Sequence, residues 1–270
     1  MSDSSQAPSI DHLVVLVRDL SASGEQWQRL GFTLSPRGEH SAHIGTANHT
    51  IMLRRDYLEL LVTRGETEVN AEWRDLMTRA GEGLYGTVLS TPDIDALYAL
   101  IRSKGIDATE PMSFDRPVDT GAGKTIPARF RVIWAAPGSL PGLKLFACQH
   151  LTREAVWLPE LCQHANSAIG ILGYDMCVPD LAQARRDWSR IPCEIVTDQS
   201  SGDLHIKLAR HLLRLREQPG HTARVVRLRL QVESLSSCRR ALASGGQGFT
   251  EQQHVLITEA INGVELAFSE

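Results

Sequence analysis

Apolar residues recur along this chain with two alternating rhythms. Short β-type runs give way to one segment of helical period, and then three more extended runs follow before the cycle restarts. The cycle appears four times. The first copy opens with Ile10-Asp11-His12-Leu13-Val14-Val15-Leu16-Val17 and passes the junction Arg18-Asp19-Leu20. Its helix runs through Trp27 and Leu30 and stops at Gly31, a natural C-terminal cap. Extended runs are expected near Phe32–Leu34, at Thr50–Arg54 and at Tyr57–Val62. The second copy has its first strand at Tyr85–Ser90, a helix introduced by Pro92-Asp93, and strands near Ile106–Thr109, Ala128–Ala135 and Leu143–Cys148.

The third copy starts at Ile169–Val178, repeats the junction as Pro179-Asp180-Leu181, and continues with strands near Cys193–Thr197, Leu204–Leu208 and His211–Arg216. The fourth runs from Val225–Val232 through a helix at Ser234–Ala243 and closes with His254–Thr258 and Gly263–Phe268. Four units of one type predict an α+β chain of βαβββ modules. Taken in pairs they give a first domain at 8–150, an inter-domain segment at 151–166 and a second domain at 167–270. The segment contains Trp157-Leu158-Pro159-Glu160 and is too apolar for a loose linker.

Composition narrows the function. A formal net charge of -4 gives no basic field for nucleic acid, and no apolar run reaches the roughly 18 residues that cross a bilayer. The five cysteines are widely spaced, with no C-x-x-C pair, so neither a disulfide scaffold nor a zinc ribbon is indicated. With an N-terminus unlike a signal peptide, a cytoplasmic protein acting on a small molecule is expected. Gly121-Ala122-Gly123-Lys124-Thr125 has the look of a phosphate loop, but Val118 stands where its first glycine is needed and Pro127 opposes the following helix.

Several motifs carry a family resemblance: Ile10-Asp11-His12-Leu13-Val14, Gly45-Thr46-Ala47-Asn48, Tyr57-Leu58-Glu59-Leu60, Phe146-Ala147-Cys148-Gln149-His150, Val156-Trp157 and His164-Ala165-Asn166. With them the chain resembles the vicinal oxygen chelate superfamily, which groups glyoxalase, bleomycin-resistance and dioxygenase proteins. The resemblance implies paired modules curled around a cleft, with metal ligands on the first and last strands of a module. It also implies one divalent metal (Zn, Ni, Mn or Fe), a small-molecule substrate, and modules that can pair between chains in a homodimer.

Aligning the four modules puts His12, Tyr85, Gly173 and Arg227 at equivalent first-strand positions, and Glu59, Lys144, Arg214 and Glu265 at equivalent last-strand positions. By resemblance His12 and Glu59 are the metal ligands, with a third to come from His40, His43, His150 or His164. Glu59, Tyr85 and His150 are the candidate catalytic groups, and Asn48, Lys144, Trp157 and His164 the candidate substrate contacts. On their own terms, Asn48 reads as a turn residue, Glu59 as a solvent-facing strand residue, and His150 and His164 as partners of backbone carbonyls. The second pair, with Arg214 and Arg227 near Glu265, reads as an ion network or an anion-binding cleft.

The activity implied is that of a glyoxalase-like lyase or isomerase acting on a carbonyl or enolate-forming substrate. A metal-free protein that sequesters an organic acid or antibiotic is the alternative. An extradiol-type dioxygenase is a second.

Overall fold

The computed structural model describes residues 7–119 and 125–270; Thr120 and the stretch Gly121–Lys124 lie outside it. Among the described residues are sixteen strands and five α-helices. The first sheet is built from β1 (Ser9–Leu16), β2 (Gly38–Glu39), β3 (Thr46–Met52), β4 (Tyr57–Thr63), β5 (Gly83–Ser90), β6 (Met112–Asp119), β7 (Thr125–Trp134) and β8 (Lys144–His150). Its strand order is β2-β3-β4-β1-β5-β8-β7-β6. The second comprises β9 (Ala168–Val178), β10 (Glu194–Thr197), β11 (Leu204–Lys207), β12 (Leu212–Glu217), β13 (Arg224–Val232), β14 (Phe249–Gln252), β15 (Val255–Thr258) and β16 (Glu265–Ser269). The order β10-β11-β12-β9-β13-β16-β15-β14 repeats that of the first. Each sheet therefore consists of two consecutive βαβββ modules, as the sequence pattern predicts.

The modules are alike because their helices begin alike. Asp19, Asp93 and Asp180 cap α1 (Leu20–Arg29), α3 (Ile94–Ser103) and α4 (Leu181–Trp188), and Ser234 caps α5 (Leu235–Ser244). Every one of these side chains accepts a backbone N–H of the first turn from an extended conformation, satisfying donors that the helix itself cannot. α1 ends at Gly31, whose φ of 87° is the left-handed value glycine adopts without strain. β1 is buried at all eight positions, which is why it reads as a near-continuous apolar run.

Two expected strands are absent. The Phe32–Leu34 segment forms no ladder; Thr33 gives its N–H to His164 Nδ1 and its hydroxyl to Gln163 O. Near Ile106–Thr109 only an isolated bridge, Ala108 to Ala135, survives. The edge strands lie later, at β2 and β6. An unforeseen helix, α2 (Ala71–Ala80), fills the stretch between modules one and two and buries Trp73 and Leu76, two residues at helical spacing.

The chain forms two compact units. Of the described residues, one comprises 7–12, 86–119, 125–158 and 176–223; the other comprises Leu13–Tyr85, Pro159–Asp175 and Arg224–Glu270. No helix among the described residues is long and apolar enough to cross a membrane.

The β10–β11 hairpin of the first unit is closed by Asp198, whose Oδ1 accepts from the Ser200 hydroxyl at 2.6 Å and from the N–H groups of Ser200 at 2.8 Å and Ser201 at 3.2 Å. These bonds, the Ser200 hydroxyl first, draw its carboxyl down to about 2. The folded value lies below the unfolded one of about 3.9, so the turn's contribution is intact above about pH 4 and fades as pH falls toward 2. Asp198→Ala is expected to flatten that acid-side decline in a plot of melting temperature against pH.

Candidate functional site

The first unit gathers its chemistry around one carboxylate. Asp11, only 1% exposed, accepts at Oδ1 from His12 Nδ1 at 2.7 Å and from His150 Nε2 at 3.1 Å. Burial pushes the Asp11 carboxyl up, but the hydrogen bonds from His12 and His150, with the charge on those rings, outweigh it and hold the carboxyl well below the usual carboxylate range. An ionised carboxylate only accepts, so both bonded ring nitrogens carry their protons. His12 Nε2 and His150 Nδ1 are then the ring nitrogens other than those bonded to Asp11.

The strand register supplies the wall. Cys148 and His150 are two apart on β8, so their side chains share a face with Phe146. His150 stands opposite Phe130 on β7, and Phe130 opposite Phe114 on β6. Phe114 and Phe130 stack at 5.0 Å, while the His150 ring meets Phe130 and Trp157 edge-on, each at 5.0 Å. Trp157 follows the short 3-10 turn Arg153–Ala155, and its face carries the Arg153 guanidinium at 3.3 Å. His12 meets the Phe146 edge at 5.6 Å.

Asp11, Cys148 and His150 each place one ligand atom within 4.8 Å of the other two, the one such group among the described residues. A carboxylate, a thiol and an imidazole are a donor set that a zinc-like ion accepts, so these residues fit a divalent metal.

The remaining expected residues have defined surroundings. In the second unit Asn48 Nδ2 donates to Glu59 Oε1 at 2.5 Å, both side chains being buried. Asn48 is thus a strand residue of β3 rather than a turn residue, and Glu59 does not face solvent. His164 accepts from Thr33 N at 3.0 Å and donates from Nε2 to Met52 O at 2.9 Å, so both ring nitrogens serve the backbone. Burial lowers its pKa, against the opposing pull of the Met52 bond. His40 Nδ1 lies 2.8 Å from Thr46 Oγ1, and His43 is exposed.

Arg227 donates through Nε and Nη2 to Glu265 Oε2 at 3.0 and 2.7 Å, the ion-pair reading of the second module pair. Lys144, in the first unit, is buried opposite Gly86.

That last register corrects the module alignment. Glu265 pairs with Arg227, seven residues before the Ser234 cap, and Lys144 with Gly86, seven before the Asp93 cap. The equivalent of His12 is therefore Gly86, not Tyr85. One residue of slip puts the Tyr85 side chain on the opposite face, where burial raises its phenol pKa despite nearby Arg224.

Asp11 and Cys148 were not among the expected site residues, though both lay inside the quoted motifs. A carboxylate within an apolar strand, and cysteine and histidine at strand spacing, were the available signals.

Residues 10–191 match the family model described as a glyoxalase-like domain, two thirds of the chain. The chain belongs to the glyoxalase-like domain family. No curated protein matches this glyoxalase-like protein.

Among solved structures, a hypothetical protein from Staphylococcus aureus is 14% identical with a TM-score of 0.70, over 96% of this chain and 98% of its own. A mutant of 4-hydroxymandelate synthase from Streptomyces coelicolor is 13% identical with a TM-score of 0.60, over 97% and 92%. A xylose isomerase-like TIM barrel/4-hydroxyphenylpyruvate dioxygenase fusion protein is 11% identical with a TM-score of 0.62, over 98% of this chain and 50% of its own. At these identities the likeness establishes the fold alone.

Proposed function

We propose that this glyoxalase-like protein is an enzyme that moves a proton on a small carbonyl compound by way of its enolate, with His12 as the base. The observation that carries this reading is the Asp11 carboxylate, buried and bonded at once to His12 and His150. It fixes the tautomer and the aim of His12, and it stabilises the imidazolium that forms when Nε2 takes the proton from carbon. Returning that proton to the same or a neighbouring carbon completes an isomerisation.

Phe114, Phe130 and Trp157 offer a flat apolar body somewhere to pack, next to His150. A resident divalent ion held by Asp11, Cys148 and His150 would polarise the substrate oxygen and stabilise the enolate charge.

The test is carbon-bound proton exchange in D2O, followed by NMR over a panel of aldehydes and 2-oxo acids. The wild-type protein is expected to accelerate exchange for at least one member, and His12→Gln to slow it about 10²–10⁴-fold while still folding and melting cooperatively. Exchange undiminished in His12→Gln would overturn the assignment of the base. Tight binding of a panel member without exchange would favour sequestration over catalysis.

A further inference from the structure

We infer that Cys148 is a metal ligand, and that Asp11, Cys148 and His150 together form a thiolate-containing site selective for zinc-like ions. The inference deepens the reading above, by naming the ion and its holder, but it stands or falls on measurements that do not involve His12's proton transfer.

Three features converge. First, Cys148 and His150 sit two apart on β8, where strand alternation turns both side chains to one face and makes them a local chelating pair. Second, Asp11 arrives from β1 with its Oδ1 3.1 Å from His150 Nε2, a hydrogen bond that the ion would replace as that nitrogen gives its proton to solvent and both atoms turn to the metal. Ligand atoms on a tetrahedral zinc with bonds of about 2.0–2.3 Å lie roughly 3.3–3.7 Å apart. The three groups, all within 4.8 Å, therefore need side-chain adjustments of only about an ångström to close on one ion.

Third, the surroundings suit a metal-bound thiolate. Asp11 and Cys148 are buried, and Phe130 packs against His150. In such a place, charge on the thiolate and carboxylate is best balanced by a cation.

The thiolate decides the metal. A soft sulfur with an imidazole selects zinc or cobalt over magnesium, calcium and manganese, which prefer all-oxygen sets. This differs from the His12 and Glu59 pair expected from family resemblance, whose donors are nitrogen and oxygen. His12 acquires a positioning role toward the ion: its Nδ1–H on Asp11 Oδ1 at 2.7 Å steers the carboxylate, the usual support of a ligating carboxylate.

The full chain, stripped with chelator and titrated with Co(II), is expected to bind one equivalent with a strong near-ultraviolet sulfur-to-cobalt charge-transfer band that Zn(II) abolishes. Cys148→Ser should lose the band. His12→Gln should keep it while cobalt affinity falls about 10–100-fold.

Cobalt bound without the band, a band that survives Cys148→Ser, or no binding of either ion would each overturn the inference. Should Cys148→Ser fail to fold, X-ray absorption of the zinc-loaded wild type decides instead. A Zn–S path near about 2.3 Å supports the site, and a nitrogen and oxygen shell alone refutes it. Exchange activity without a thiolate band would leave the proton-transfer reading standing and this one refuted; a band without exchange would do the reverse.

Discussion

Trp27→Ala should cost the protein roughly 3–5 kcal/mol of stability, among the largest losses open to a single substitution here. The indole is fully buried on α1, tilted against Phe32 at 5.4 Å, and gives its Nε1–H to Asn262 Oδ1 at 2.9 Å. Asn262 is itself a hub of the second unit. Its Nδ2 donates to Ser23 Oγ at 3.0 Å and to Glu82 Oε2 at 3.1 Å, from a left-handed φ of 45°. Removing the ring therefore opens a large cavity and takes a donor from an asparagine whose other bonds tie α1 to the turn before β16.

Trp27→Phe separates the two effects. It keeps most of the ring volume and loses only the N–H, for an expected cost of about 1–3 kcal/mol. Urea unfolding of both variants gives the comparison. A phenylalanine variant as damaged as the alanine one would put the energy in the hydrogen bond rather than in the packing.

The module pattern was legible in the chain because capping and periodicity agree at each repeat. Asp19, Asp93 and Asp180 mark helix starts in sequence and accept the first-turn N–H groups in the structure. Less legible were the segments whose backbone bonds go to distant partners. Thr33 looked like part of a strand, yet its N–H is used by His164, 131 residues away. α2 was hidden because its apolar side is short, carrying two buried residues, and because no Asp or Ser side chain caps its first turn.

The candidate site was half legible. Resemblance pointed to His12, and position at the inter-domain segment could put His150 and Trp157 at the mouth of a cleft, but neither revealed that Asp11 joins the two histidines. Asp11 and His12 are adjacent in β1, where alternation sends side chains to opposite faces, so sequence alone argues against their meeting. The 2.7 Å bond nevertheless forms, within a strand buried on both faces. Tyr85 failed for a simpler reason: counting from the end of an apolar run is ambiguous by one residue, whereas counting back from the helix cap is not.

The substitution with the largest expected consequence for both stability and activity is at Asp11. Asp11→Ala takes away the acceptor shared by two buried imidazoles, and loss of one partner from a buried charged network typically costs about 3–5 kcal/mol. Asp11→Asn is the sharper probe, because it nearly preserves shape. Its amide has one acceptor oxygen and one donor nitrogen, so it cannot serve His12 Nδ1–H and His150 Nε2–H in the same way, and one ring must turn or change tautomer.

Melting temperature is therefore expected to fall less in Asp11→Asn than in Asp11→Ala, while the proton exchange assigned to His12 falls in both by about 10²–10⁴-fold. Combining Asp11→Asn with His12→Gln should add little further loss, since the carboxylate acts on exchange through the imidazole it aims. Additive losses in that double variant would mean that Asp11 serves the reaction by a route that does not pass through His12, with ligation of the metal beside Cys148 and His150 the first such route to examine.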